Sequence, residues 1–474
     1  MQGETDKILA VVAERVTPKK AERTKIAKLA NKLESRVSAS AEKLGMKAAV
    51  RLEGSVAKDT WLSREGDIDV FMRVPATIPR KSMGETSLKV AREAAADWKQ
   101  IERFAEHPYL EVVIGNVRAN IVPCYDVPRG KWLSATDRTP FHTDYVKKSL
   151  NEKLKREVRL LKKFMKGVGV YGAEIKVGGF SGYLCELLVL NYGSFVELLK
   201  AFADLGQKTV VDLENLYGGR ENEVKLLFEE PLVVLDPVDM GRNVASAVRP
   251  EKLSAFVAAS RAFLEMPNLN FFYPPRPHAA SPERVQTELK KRGPALVFVV
   301  AGRVDAVPDI LWGQLYKSQR SLRRLVELND FSLLRDFAWS DEKKLNILAF
   351  EVEERRIPPV KKHLGPPLEK KSECENFLKK HSDGVRTVSG PYIEDGRWVV
   401  LSRRKFTDVV ELLSEKLKDG GRGAGVAAKL SEVVRKEFKI LVNDEISTVY
   451  AGSGEFADFL TAFLSGRPVW LRGN

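Results

Sequence analysis

Two short β-prone runs near the N-terminus, residues 48–52 and 68–74, are the feature that most constrains how this chain can fold. Between them lie a Gly-Ser turn, Gly54-Ser55, and a segment with helical spacing. The resulting order is strand, turn, helix, strand, in which a glycine turn leads from a strand into a helix. These residues therefore predict an α/β arrangement.

The segments on either side extend the same pattern. Residues 8–44 alternate apolar and charged side chains at helical spacing, which predicts two helices, and a further helix is expected over residues 82–104. Residues 109–114 and 117–122 are β-prone, and the Gly and Asn between them are the signal for a tight β-hairpin. Residues 1–150 are therefore expected to form one α/β domain.

The rest of the chain is long enough for further domains. At 474 residues the chain exceeds what one hydrophobic core supports, and domains of ordinary size predict roughly three or four units. Helical spacing dominates residues 151–266, and the aromatic and proline-rich stretch 271–277 is interpreted as a linker. Beyond it the pattern predicts strands and helices alternately, at residues 295–300, 315–329, 397–402 and 426–438.

Charge and composition limit the classes of function. The 78 Lys and Arg against 64 Asp and Glu give a formal net charge of +14, which favours polyanions such as RNA or nucleotides, although a solvated basic surface explains the same excess. The three cysteines lack CxxC spacing, so a reducing, cytoplasmic location is expected. No apolar run approaches the roughly 20 residues that span a bilayer, so neither secretion nor a membrane partner is expected.

A pair of acidic residues, Asp67 and Asp69, carries the strongest chemical signal. Residues two apart in a strand point to the same face, so the two carboxylates can share divalent cations. Mg²⁺ is a hard cation that prefers such oxygen ligands and commonly accompanies a nucleotide triphosphate. Ser55, in the glycine turn at the start of a helix, could donate a hydrogen bond to one of the phosphates. An isolated Asp-x-Asp is often only a solvated turn, but the preceding Gly-Ser turn makes the catalytic interpretation far more specific.

The combination of Gly-Ser and Asp-x-Asp resembles the nucleotidyltransferase signature of the DNA polymerase β-like enzymes. Further motifs resemble those of the archaeal, class I CCA-adding enzymes. In chain order they are Arg-Thr-Pro-Phe-His at 138–142, Tyr-Gly-Ala-Glu at 171–174, Gly-Phe-Ser-Gly-Tyr-Leu-Cys-Glu at 179–186, Asp-Pro-Val-Asp at 236–239 and Arg-Asn-Val-Ala at 242–245. Weaker similarity continues through residues 393–398 and 404–407, so the resemblance covers nearly the whole chain.

This resemblance implies an α+β multidomain protein. Residues 1–150 would form a palm-like α/β nucleotidyltransferase head and residues 151–267 a helical neck. Residues 268–313 and 380–474 would form an α/β body, with an α/β tail inserted at residues 314–379. The implied activity is template-independent addition or repair of the 3′-terminal CCA of tRNA from CTP and ATP, with release of pyrophosphate by a two-metal mechanism. The implied partners are these nucleotides and tRNA, bound at its acceptor end and elbow, while a homodimer stays open.

The resemblance also assigns roles to single residues. Matching positions place Ser55, Lys162 and Tyr171 at the triphosphate, with Lys58 at a further position of the same group. They place Arg242 at the base edge and His142 near the nucleotide. Gly54, the small residue of the turn, lets the backbone approach a phosphate. Lys58 stands where a family member may carry Arg, so it keeps the charge but lacks the planar fork. Without the family, Lys162 is one cation of a basic helix and Tyr171 is a core aromatic with a satisfied hydroxyl.

One position departs from the family. The third metal-binding carboxylate falls at Asn120, an amide that can coordinate through its oxygen but brings no charge and cannot serve as a base. A weaker catalytic metal is therefore expected. In the predicted hairpin Glu111 lies directly opposite Asn120 on the same face and could supply the charge, unless a one-residue bulge turns it away. An Asp-to-Asn change that silences the site is the other explanation.

Three functions stay open at this stage. The first is CCA addition. The second is another polymerase β-like activity, such as a poly(A)-type polymerase or oligonucleotide synthetase, which shares Gly-Ser and Asp-x-Asp but should lack the motifs at 138–142 and 242–245. The third is a tRNA-binding homologue whose catalytic centre has decayed, a reading that Asn120 supports.

Overall fold

The computed structural model describes residues 2–104, 106–275 and 278–471. The chain divides into two compact units, Met1–Arg276 with Arg467–Asn474, and Pro277–Gly466. The predicted linker 271–277 falls at this division, with Arg276 and Pro277 outside the described residues. Helices and several separate sheets confirm the predicted α+β multidomain class.

A five-stranded mixed sheet begins the first unit. Its strands, β1 to β5, are Ala49–Glu53, Ile68–Pro75, Lys99–Phe104, Pro108–Ile114 and Val117–Asp126. Their order is β1-β2-β5-β4-β3, with β2 parallel to β5 and the other neighbours antiparallel. The accompanying helices, α1 to α5, are Gln2–Val16, Lys20–Lys43, Gly54–Lys58, Arg80–Ala94 and Thr139–Ser149.

The two faces of this sheet differ in character. Alternate residues of β2 over 68–74 are buried, and together with residues of β4 and β5 they form a core with α2 and α4. The opposite face is polar where the register aligns Glu53, Asp69, Asn120 and Glu111 in one row across β1, β2, β5 and β4. Directly paired residues share a face, so these candidate site residues lie on the side away from the apolar core.

The predicted hairpin is confirmed together with its register. Ile114 pairs with Val117, and Gly115 adopts a φ of 64°, which a tight turn between two strands requires. Pairing continues without a bulge between the described strands β4 and β5, so Glu111 lies opposite Asn120 as predicted.

The helix predicted over residues 82–104 is wrong in its second half. Helix α4 ends at Ala94, and residues 99–104 form β3, an edge strand paired with β4. The charged composition of this stretch also suits the surface of a helix. Its conformation is decided by the backbone hydrogen bonds of a neighbouring strand, which local propensity does not report.

The next segment of the first unit is mainly helical. Its helices, α6 to α10, are Glu152–Val168, Gly182–Tyr192, Phe195–Ala203, Glu221–Leu227 and Pro250–Glu265. The purely helical prediction is corrected by a small sheet whose strands, β6 to β8, are Thr209–Val211, Leu232–Asp236 and Asp239–Asn243, in that order. These strands have three to five residues, too few for a clear alternation in the sequence.

The second unit contains two sheets. Its helices, α11 to α17, are Pro282–Lys291, Pro308–Leu328, Lys371–His381, Val409–Leu417, Ala428–Lys436, Ser447–Gly452 and Gly454–Ser465. Its strands, β9 to β15, are Ala295–Ala301, Leu333–Ser340, Asn346–Val352, Val360–Pro367, Thr387–Glu394, Arg397–Arg403 and Phe438–Val442. They form one sheet ordered β10-β11-β9-β15 and another ordered β12-β14-β13.

The predicted tail, residues 314–379, does not coincide with either sheet. Its first boundary lies inside α12 and its second inside α13, while β10 and β11 pair within the sheet that contains β9. The three-stranded sheet spans residues 360–403, between β11 and β15. Such boundaries depend on strands that pair far apart in the sequence, which local patterns do not reveal.

Among the described residues no single helix is long and apolar enough to cross a bilayer. The pair α7 and α8, which meet at a bend of 91°, passes the length and composition test only when taken together. Both helices contribute buried side chains to the core around α6.

Aromatic packing around Phe164 forms the centre of that core. Its ring centroid lies 5.4–6.1 Å from those of five other rings, which belong to Phe195, Phe256, Phe263, Phe271 and Phe272. The five rings come from helices and turns distant in sequence, so Phe164 joins the elements of this segment.

Replacing Phe164 by Ala should lower the free energy of unfolding of the first unit by about 3–5 kcal/mol, because a fully buried ring leaves a cavity. Urea unfolding measures the change. The control is Leu226→Ala, at a side chain that is 87% exposed, which should change stability by less than about 0.5 kcal/mol. A loss at Phe164 no larger than at Leu226 would show that the ring is not central to the core.

Candidate active site

A cavity of about 800 Å³ opens on the polar side of the five-stranded sheet. Six residues predicted from the sequence line it together: Ser55, Asp67, Asp69, Asn120, Lys162 and Tyr171. They come from α3, the residue before β2, β2 itself, β5, α6 and the loop that follows α6. The structure therefore brings the Gly-Ser turn and both aspartates to one place.

Gly54 fits this place because of its contact with Asp69. Its φ is 71°, and a Cβ built on it would lie 2.1 Å from Oδ2 of Asp69. Any side chain here would be strained by the backbone conformation and would displace the carboxylate. The glycine thus allows the strand-to-helix turn to close over an acidic side chain.

The two aspartates have unusual electrostatics. Burial raises the pKa of Asp69 to about 6, and the charge of Asp67 adds to this, while the hydrogen bond from Asn120 opposes it. Burial also raises the pKa of Asp67, against the charge and hydrogen bond of Arg118. Neutral forms are favoured where a negative charge lacks solvent, so a bound cation would relieve a real cost.

Asn120 and Arg118 stand beside these carboxylates on β5. Nδ2 of Asn120 donates to Oδ1 of Asp69 at 2.9 Å, and Nη2 of Arg118 donates to Oδ2 of Asp67 at 3.1 Å. Glu111, the candidate replacement for a third carboxylate, instead accepts from Nη2 of Arg103 at 3.1 Å. Among the described residues no three His, Cys, Asp or Glu side chains converge as a ready metal site.

The donor set nevertheless fits a hard divalent cation. Asp67, Asp69 and Asn120 line one cavity, and Gly54 leaves room for the Asp69 carboxylate at its edge. Mg²⁺ is commonly held by one or two carboxylates and completes its shell with water and substrate phosphates. Asp67, Asp69 and Asn120 are the residues that would hold it.

Lys162 reaches the cavity from a buried polar cluster. Its ammonium donates to the carbonyl and hydroxyl oxygens of Thr60 at 3.1 and 3.0 Å and pairs with Oε1 of Glu186 at 3.3 Å. Lys58 also pairs with Glu186, at its Oε2, and lies outside the residues that line the cavity. Two lysines share one carboxylate, and burial lowers the pKa of Lys162 against the charge of Glu186.

His142 and Arg242 also lie outside the cavity lining and meet at Asp236. Nε2 of His142 and Nη1 of Arg242 both donate to Oδ2 of Asp236, at 2.8 and 2.7 Å. Burial lowers the pKa of His142 despite its bond to the carboxylate. The residues predicted to contact the nucleotide therefore form two groups. Ser55, Lys162 and Tyr171 line the cavity, and His142 and Arg242 bind Asp236.

Some residues around the site carry no role in the sequence-based prediction. Arg118 and Lys25 line the cavity, and Glu186 and Asp236 each hold two predicted residues. Arg118 precedes Asn120 by two positions, so strand alternation contained its signal. Lys25 lies on α2, and nothing in its local sequence points to the site.

Replacing Asp69 by Asn should stabilise the protein at pH 7 in the presence of a chelator. The folded-state pKa of about 6 lies above the ordinary value of 3.8, so this ionisation weakens folding as the pH rises through that window. The gain should approach about 3 kcal/mol at pH 7, at roughly 1.4 kcal/mol per unit of pKa, and vanish below pH 4. Urea unfolding from pH 3 to 7 measures it; equal stabilities at pH 7 would contradict the burial argument.

Comparison with known families agrees with this geometry. The nucleotidyltransferase domain matches residues 9–156, the second domain of tRNA nucleotidyltransferase matches residues 156–273, and the C-terminal domain of the CCA-adding enzyme matches residues 292–443. The predicted nucleotidyltransferase fold is thereby confirmed, while the bounds of the four predicted domains stay a prediction. Enzymes of the nucleotidyltransferase family generally use divalent metals, in keeping with the oxygen donors of the cavity.

Relatives resemble the chain along nearly its whole length. The CCA-adding enzyme of Methanosarcina barkeri is 37% identical over 435 residues, which cover 91% of this chain and 93% of the relative. Those of Methanothermobacter thermautotrophicus and Halobacterium salinarum are 34% and 33% identical, over 95% and 96% of this chain and 96% and 98% of their own lengths. The chain therefore belongs to the family of archaeal CCA-adding enzymes.

Proposed function

We propose that this protein adds or repairs the 3′-terminal CCA of tRNA, using CTP and ATP and releasing pyrophosphate. The observation that carries the proposal is the convergence of Ser55, Asp67 and Asp69 on one cavity, in a chain of this family. The attacking group is the 3′-hydroxyl of the RNA, and the bond formed joins its oxygen to the α-phosphate.

Charge neutralisation and alignment supply most of the catalysis in such a transfer. Mg²⁺ bound at Asp67 and Asp69 would polarise the phosphoryl oxygens and the attacking hydroxyl. Lys162 and Tyr171, on the wall of the same cavity, are placed to hold the triphosphate, with Ser55 at the turn. An anionic ligand beside Lys162 would favour the charged form of its side chain, which burial opposes in the free protein.

For Lys58 we propose an indirect part in nucleotide binding, whereas the match to the family predicts a direct contact. Its ammonium is buried against Glu186 instead of lining the cavity. It therefore acts on the triphosphate through Glu186, which also holds Lys162. Base recognition falls to Arg242, since guanidinium N–H groups can donate to base edges.

The tRNA is bound chiefly through its backbone and shape. The formal net charge of +14 favours a polyanion, and duplex RNA is recognised mainly by its form. The acceptor end reaches the cavity, and the elbow is bound elsewhere on the chain.

Incubation with tRNA that lacks its 3′ end, Mg²⁺ and labelled CTP and ATP tests the activity. The expected product gains two C and one A in that order. Runs of A would instead indicate a poly(A)-type enzyme. Binding of tRNA without incorporation would favour a homologue with a decayed catalytic centre, the second candidate that Asn120 supports.

Asn120→Asp should raise the rate of incorporation at limiting Mg²⁺ at least about tenfold, because it adds a charged ligand next to Asp69. The rate measured against Mg²⁺ concentration shows the shift. The control is Asn222→Asp, which adds the same charge on the exposed surface of α9, outside the residues that line the cavity, and should leave the Mg²⁺ requirement unchanged.

An unchanged Mg²⁺ requirement in Asn120→Asp would contradict the proposal that the amide limits metal binding. Glu111 would then be the source of the missing charge, since it is the next side chain in the row. Loss of turnover in Glu111→Gln would establish that role. In that case Glu111 would leave Arg103 when it binds the metal. Full turnover in Glu111→Gln would exclude it.

A further inference from the structure

Asp236 is a buried carboxylate that has no role of its own in the proposed reaction. Its side chain is fully buried at the end of β7. Oδ2 accepts from His142 and Arg242, and Oδ1 accepts from the hydroxyl of Tyr183 and the backbone N–H of Val238, both at 3.1 Å. Four donors on one carboxylate leave it little freedom to move.

The four donors reach Asp236 from separate elements. His142 lies on α5, Tyr183 on α7 and Arg242 on β8. The ring of His142 stacks on that of Tyr183 with centroids 4.0 Å apart and an angle of 25° between planes. The carboxylate and the stacked pair together make a rigid support at one end of Arg242.

A second set of contacts holds the same turn between β7 and β8. Nε of Arg138 pairs with Oδ2 of Asp239 at 2.6 Å, and Nε of Arg129 donates to the carbonyl of Val238 at 3.1 Å. The segment 129–142 therefore grips the turn at several points. His142, expected from the family match to approach the nucleotide, is occupied as part of this grip.

Arg242 is held at one end and open at the other. Nη1 is bound to Asp236, and within the described part of the chain its other guanidinium nitrogens have no hydrogen-bond partner. The side chain is 38% exposed, in contrast to the buried carboxylate that holds it. A guanidinium fixed in this way presents its remaining N–H groups in one direction.

We propose that Asp236, supported by His142 and Tyr183, is a specificity-determining positioning residue that fixes the guanidinium of Arg242 for reading the base of the incoming nucleotide. This rests on the proposed function, because it assumes that Arg242 faces the base of CTP or ATP. A purely structural role is the alternative: the same contacts would then stabilise the fold without affecting the choice of base.

Equilibrium binding to a blocked complex separates the two roles. The protein is loaded with tRNA that lacks CCA and ends in a 3′-deoxynucleotide, so that CTP binds without being attached. Affinities for CTP, UTP and inorganic tripolyphosphate are then compared in wild type, Asp236→Asn and Tyr183→Phe. Tyr183→Phe removes one donor but keeps the ring stacked on His142, so it serves if Asp236→Asn does not fold.

The expected result is a loss in the preference for CTP over UTP, about tenfold in Asp236→Asn and smaller in Tyr183→Phe, with unchanged affinity for tripolyphosphate. In an Arg242→Ala background Asp236→Asn should cause no further loss of preference, since residues that act through one another are not additive. The matched control is Glu214→Gln. It removes the charge of the carboxylate that accepts from Tyr145 of α5 but keeps an acceptor oxygen, and it should keep the preference for CTP.

Two results would overturn the proposal. One is an unchanged preference for CTP over UTP in both variants. The other is an equal loss of CTP and tripolyphosphate affinity, which would show a general structural role. Failure of the proposed function looks different, because the wild-type complex itself would then bind CTP and UTP alike and add neither C nor A to tRNA.

Discussion

The burial of one carboxylate, that of Asp69, is the constraint on which the site depends. It lies on a central strand, against Gly54 and beside Asn120, where lack of solvent raises its pKa to about 6. The apolar face of the same strand packs on α2 and α4, and this burial of apolar surface offsets the cost of burying the carboxylate. This burial sets what the neighbouring positions can be, since Gly54 leaves room for the carboxylate and Asn120 donates to it.

Elements with a local signal were predictable from the sequence, and those decided by distant partners were not. The Gly-Ser turn marked the passage from β1 to α3, and the Gly-Asn pair gave both the hairpin and its register. Residues 99–104 became a strand only because β4 lies beside them. The run at 295–300 gave β9 almost to the residue, whereas the short strands β6 to β8 and the strands β10 and β11 beside β9 were given no bounds from the sequence.

The site follows the same division. Period-two spacing was enough to put Asp67 with Asp69, and Asn120 opposite Glu111, and the structure brings the first three to one cavity. Residues matched only through the family, Lys58 and His142, proved to be held by buried acids. Those acids were visible in the motifs, but which cation each one holds depends on how the helices and the small sheet meet.

The contacts between segment 129–142 and the turn at 236–239 limit how domains of such enzymes can be exchanged. Arg129, Arg138 and His142 belong to the region that matches the nucleotidyltransferase domain, whereas Asp236 and Asp239 belong to the region that matches the second domain. Cutting the chain near residue 156 would leave acidic groups without their partners on one fragment and basic groups without theirs on the other. The two regions are thus joined by contacts that need residues from both, and exchanging either region between relatives requires that the residues on both sides of these contacts are exchanged together.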